Sequence, residues 1–200
     1  METLLKYPMN DDRWLKKILI GGLLIVGSFL VIPVFFLLGY LLRILEEGLR
    51  ESRRVPDFNE WDTMFVRGLA GVGICIGYPL LSLPIFFVGD LLPGAAGALV
   101  RFLGLMAVVF GVYLIPAGLA NYVRYKDFWA GFDKDFVLPL AQEGSYFQTW
   151  LVAALIGIVG GFLSNLLTVI LVGFFLQFYV QIIVFYLFGQ GIAGITGPLD

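Results

Sequence analysis

The chain has 200 residues, of which 60% are hydrophobic, 16% aromatic and only 14% charged, where soluble globular domains carry about 25% charged residues. Its 13 Lys and Arg nearly balance 15 Asp and Glu, histidine is absent and cysteine occurs once. This composition excludes a nucleic-acid footprint, an intrachain disulfide, a Cys-rich metal site and the imidazole chemistry on which most triads and proton shuttles depend.

Charge-free runs cover residues 18–42, 68–89, 102–123 and 144–199. The first follows Lys6, Arg13, Lys16 and Lys17 and so imitates a secretory signal, but it runs for 25 residues without a small-residue cleavage pattern after it. It reads as a retained membrane segment. Pro33 removes a backbone donor and disfavours helix at Ile32, which predicts a reversal there. The stretch after Leu41 keeps Leu41, Leu42, Leu45 and Leu49 at helical spacing and pairs Arg43 with Glu47 and Glu46 with Arg50. This predicts an amphipathic rod that ends before Pro56.

The second and third runs are separated by Asp90-Leu91-Leu92-Pro93-Gly94, a tight-turn signal. Pro79, Pro84 and Pro116 predict kinks, with discontinuous helices as the sharper reading. Cys75 lies in the second run and reads as a packing residue. In the third, glycine recurs at Gly97, Gly104, Gly111 and Gly118, one every seven residues. On a helix this makes a groove without side chains, which fits close helix packing or, as the sharper reading, a path lined by bare backbone. Gly73 with Gly77, and Gly157 with Gly161, form GxxxG pairs of the same kind.

The last run has 56 residues, about 84 Å as one helix at ~1.5 Å per residue, against a hydrocarbon slab of about 30 Å. It must cross and return. Gly160-Gly161 and Ser164-Asn165 mark the expected reversal. Gln177 and Gln181 share a face of the final helix and form the candidate polar intramembrane pair, either joining helices or lining a ligand path. No charged residue lies deep within a run, which argues against ion-coupled transport.

Two segments, 43–67 and 121–146, interleave aromatic and charged residues and read as amphipathic collars on the cytoplasmic surface. Trp61, Trp129 and Trp150 are the expected interfacial anchors. The acidic pairs Asp11-Asp12 and Asp133 with Asp135 read as solvated collar residues, and Arg50, Arg53 and Arg54 as a lipid-facing cluster. A single crossing by the first run gives five spans and splits the cations five to eight. A hairpin there gives six helices, with Arg101 alone opposite the other twelve cations, which the positive-inside rule favours.

The motifs YPMNDDRWLKKILIGG (7–22), GYLLRIL (39–45), VPDFNEWDTMFVRGL (55–69) and IPAGLANYVRYKDFWAGFD (115–133) resemble a family of archaeal integral membrane proteins, domain of unknown function 4013. The closing FYLFGQGI (185–192) resembles that family's end less closely. The resemblance implies a helical membrane protein without an assigned activity, and it carries over no catalytic or binding residue.

The expectation is therefore one all-α integral membrane domain over 1–200. It has about six membrane helices in three hairpins, two cytoplasmic collars and both termini cytoplasmic. No cofactor or metal is expected. The expected partners are the lipid bilayer and either a second copy or another membrane protein, with no nucleic acid. The first functional expectation is a non-enzymatic membrane component packing through glycine-rich helix faces. The second is a channel or facilitator for a small neutral or apolar solute.

Overall fold

The computed structural model describes residues 2–168 and 171–199, and no strand occurs among them. The helices are α1 (Glu2–Leu5), α2 (Trp14–Val26), α3 (Ile32–Leu49), α4 (Trp61–Leu80), α5 (Leu83–Leu91), α6 (Gly94–Tyr125), α7 (Lys134–Gln142), α8 (Gly144–Leu167) and α9 (Val172–Thr196). Short 3-10 turns occupy Tyr7–Met9, Gly27–Leu30 and Trp129–Phe132.

Four helices are long and apolar enough to cross a membrane: α4 continued by α5 (31 residues), α6 (32), α8 (24) and α9 (25). The first apolar run does not add two more of that length. It is divided into α2, with 13 residues, and α3, with 18, roughly 20 and 27 Å at 1.5 Å per residue. The second of these carries Arg43, Glu46 and Glu47. The break falls where Pro33 predicts it: Val31 takes a left-handed φ of 67° and α3 starts at Ile32.

The other breaks follow local chemistry. Pro79 and Pro84 bracket the interruption between α4 and α5, where the Ser82 hydroxyl donates to the Pro79 carbonyl at 2.6 Å. Pro116 stays within an unbroken α6. The turn after α5 passes through extended Leu92 and Pro93 to Gly94 at φ 61°.

The reversal of the last run lies later than Gly160-Gly161 and Ser164-Asn165. α8 continues to Leu167, and the chain turns through Leu171 at φ 63°. The turn-type residues are accommodated: Ser164 donates to the Gly160 carbonyl (2.7 Å), Asn165 to Gly161 (2.9 Å) and Thr168 to Ser164 (2.9 Å). Each polar side chain is satisfied by the carbonyl four residues back, so it travels with the helix.

Two clusters of buried side chains share α3. One gathers Tyr40, Ile44, Met64, Phe178 and Ile182, and the other Leu42, Leu45, Leu49, Ile74, Tyr78 and Ile192. α3 packs on α4 and α9, α2 on α9 and α3, α6 on α4 and α5, and α8 on α9. Much of the remaining surface is large and apolar, as at Phe29 (79% exposed), Ile158 (72%) and Leu81 (69%).

Candidate functional site

The polar segments collect at one end of the bundle. There the Lys17 side chain, only 5% exposed, has its Nζ 2.9 Å from Asp11 Oδ2, 3.0 Å from Asp57 Oδ1 and 2.8 Å from the Val55 carbonyl. Burying an ammonium unpaired costs several kcal/mol, and here its three N–H groups meet three acceptors. Asp11 consequently titrates below its ordinary value, first through the Lys17 hydrogen bond and then through the Arg13 backbone N–H.

Arg43 does not pair with Glu47 along its own helix. It reaches Asn59 at 2.6 Å and Glu60 at 2.8 Å across the α3–α4 corner. Glu46 does pair with Arg50 four residues on (3.1 Å), and also with Arg67 on α4 (2.6 Å).

Seven of the nine tyrosines donate to backbone carbonyls elsewhere in the chain. Tyr7 reaches Arg54 at 2.7 Å, Tyr40 reaches Pro56 at 3.0 Å and Tyr78 reaches Gly131 at 2.6 Å. A phenol joins an apolar body to a single donor, so it can bind a loop carbonyl from within an apolar helix. Burial raises the Tyr7 hydroxyl above its ordinary range and keeps it a donor. Six of these seven tyrosines lie inside charge-free runs, all but Tyr7, and that recurrence is the signal the sequence carries for the contacts.

The glycines of the heptad stripe all face the chain's own atoms. A β-carbon on Gly97 would collide with the Leu92 carbonyl, and one on Gly104 would lie 3.1 Å from the Phe86 ring. On Gly111 it would stand 3.0 Å from the Tyr78 carbonyl, and on Gly118 2.5 Å from that of Gly131. Gly73 and Gly77 form a socket for Phe128 and Phe132, at 2.9 and 2.5 Å by the same measure. The segment following α6 is thereby drawn down along α4 and α6. In the final pair, by contrast, Gly157 faces open space.

Of the tryptophans, Trp61 opens α4 and is 42% exposed, and Trp129 is 74% exposed. Trp150 is half-buried, 5.8 Å from Tyr113. It forms one wall of an apolar cavity of about 280 Å³ between α6 and α8. Val112, Pro116 and Leu119 of α6, Phe185 and Phe188 of α9 and Cys75 of α4 line it as well.

Gln177 and Gln181 precede Val184, Phe185 and Phe188 at helical spacing and so share the face of α9 that lines the cavity. Gln177 Oε1 lies 3.9 Å from the place of a β-carbon on Gly161, and Gln181 Oε1 is buried with no hydrogen-bond partner among the described residues. Asp11 engages Lys17, and Asp133 accepts the Asp135 backbone N–H at 2.9 Å, which caps α7.

Fold and site together define an all-helical class of protein with four span-length apolar helices and a polar end bound by ion pairs and tyrosines. The chain belongs to the family described as "Protein of unknown function (DUF4013)", whose family model matches residues 23–169. No curated protein and no solved structure matches it.

Proposed function

We propose that the protein is a non-enzymatic component of a cell membrane that crosses the bilayer four times and receives a further membrane helix, from a second copy or a partner, along α8. The observation that carries this reading is Gly157. It opens onto empty space three residues beyond Ala154, which lines the α6–α8 cavity, whereas the heptad glycines are covered by their own chain. Small residues on a lipid-facing helix allow close backbone approach by a neighbour.

The α2–α3 pair is read as a third hairpin that dips into the bilayer from the polar end. Its tip is apolar, with Phe29, Leu30, Val31 and Ile32 each at least 59% exposed, while Lys17 and Tyr40 both reach the 55–57 segment. This arrangement leaves Arg101 opposite the other twelve cations and makes the polar end and both termini cytoplasmic.

The test is Gly157→Leu in the full chain, extracted with its native lipids. The reading predicts that wild type carries a second copy or a copurifying membrane protein, and that the variant loses it while keeping its thermal midpoint. A strictly monomeric wild type with no companion contradicts it.

Gln181 supports a second reading, a facilitator for a small neutral solute, since a buried amide oxygen without a donor is a ready binding group. Flux into proteoliposomes that falls with Gln177→Leu plus Gln181→Leu would favour it. No flux across a broad solute panel would remove it.

A further inference from the structure

A second cavity, of about 300 Å³, lies where α4 gives way to α5, and it has a composition that the first lacks. Its walls are mostly apolar or aromatic, including Tyr78, Leu81, Ala107, Phe110 and Phe132; Ser82 also lines it, its hydroxyl bonded to the Pro79 carbonyl, and Lys134 is the single charged residue. The sequence explains the space. The Pro79–Ser82 break interrupts α4 beside α6, and Tyr78, Leu81 and Ser82 at that break line the cavity together with Ala107, Phe110 and Gly111 of α6.

The Lys134 ammonium has no ion pair or hydrogen bond among the described residues and stands exposed at the start of α7. Its neighbours Asp133 and Asp135 do not line the cavity; Asp133 is turned to the α7 backbone, where it accepts from the Asp135 N–H. Around the cavity Leu81 is 69% exposed, Phe110 51% and Leu138 38%. Large exposed apolar side chains on this scale flank an opening toward hydrocarbon rather than water. Trp129, 74% exposed, lies five residues from Lys134, and tryptophan prefers the headgroup level.

We propose that this cavity binds one acyl chain of an anionic phospholipid whose phosphate rests on Lys134. The volume is at the low end for ligand pockets, about 300 to 1,000 Å³, so it takes part of one chain and leaves the remainder in the bilayer. Polarity is divided as an amphiphile requires: apolar depth, then one cation at the rim. This inference rests on membrane residence as proposed above, but not on helix docking along α8.

Native mass spectrometry on the detergent-solubilised full chain, given equimolar phosphatidylglycerol and phosphatidylcholine with identical chains, tests it. Wild type is expected to retain one phosphatidylglycerol in preference to phosphatidylcholine. Lys134→Gln should lower phosphatidylglycerol affinity about fivefold, the worth of one cation near a headgroup, and phosphatidylcholine affinity less, because choline already offsets that lipid's phosphate. Lys134→Arg should restore it, and Lys126→Gln, a neighbouring exposed cation outside the cavity, should match wild type. Ala107→Phe, which fills the cavity, should lose both lipids. Equal retention of the two lipids by wild type, or unchanged phosphatidylglycerol affinity in Lys134→Gln, overturns the proposal. Should Ala107→Phe fail to fold, the Gln and Arg variants of Lys134 still decide it. Helix docking can fail without affecting this result, because α8 does not contribute to the cavity.

Discussion

Gly48 of α3 and Gly189 of α9 meet backbone to backbone. A β-carbon on Gly48 would lie 2.9 Å from Gly189 Cα, and one on Gly189 would lie 2.7 Å from Gly48 Cα. A similar crossing occurs on the other side of α3, where a β-carbon on Gly39 or Gly68 would collide with the carbonyl of Met64 or Phe35. α3 is thus clamped between two helices at glycine contacts, and neither neighbour can yield by turning a side chain. Gly48→Leu and Gly189→Leu should each destabilise the protein by at least the roughly 1 to 3 kcal/mol of ordinary overpacking, read as a fall in thermal midpoint in detergent. Gly157→Leu should leave the midpoint near wild type. Equal effects at all three positions would contradict the clamp.

The Gly77 socket offers a reciprocal test. Gly77→Val places its added carbons against the Phe132 ring and should destabilise, while Phe132→Ala empties the socket. Loss of a fully buried Phe costs about 3 to 5 kcal/mol, and half-buried Phe132 should fall below that range. The double variant should recover part of the sum, because the first substitution fills what the second vacates. Simple additivity in equilibrium unfolding would show that the ring does not occupy the socket.

The Lys17 cluster carries a pH dependence. Asp11 is held below its ordinary value of 3.8, so its contribution is fully present above that pH and is lost as pH falls through the lower, folded-state value. Lys17→Met removes the partner and should make stability between pH 5 and 2 fall less steeply than in wild type. Unfolding curves across that range provide the measurement. Parallel profiles for the two proteins would show that the contact does not act on Asp11.

Helix positions were largely legible because proline and turn chemistry act locally: Pro33 and Pro93-Gly94 mark breaks that the fold contains. The end of α8 was not legible. Ser164, Asn165 and Thr168 have the composition of a turn, but their side chains bond to carbonyls four residues back and so need no turn or outside partner. The depth of the first run was also hidden, since 25 apolar residues accommodate a full crossing or a shorter pair. Lys17 shows the same limit at the candidate site. In sequence it is one of four cations before an apolar run, and its burial depends on Asp57 and Val55, which arrive from forty residues away. The glycine stripe was visible, but its partner surface was not, because the Tyr78 and Gly131 carbonyls reach it only through tertiary packing.

The central claim is that this chain crosses a bilayer with its polar end on one side and the turns after α5 and α8 on the other. Single cysteines at Arg53, Asp127, Leu92 and Leu171, in a Cys75→Ala chain labelled in sealed native vesicles with a membrane-impermeant maleimide, test it most directly. The account predicts that positions 53 and 127 react from the cytoplasmic side and positions 92 and 171 from the opposite side. Labelling of all four from the same side, or release of the chain from membranes by alkaline carbonate, would contradict it.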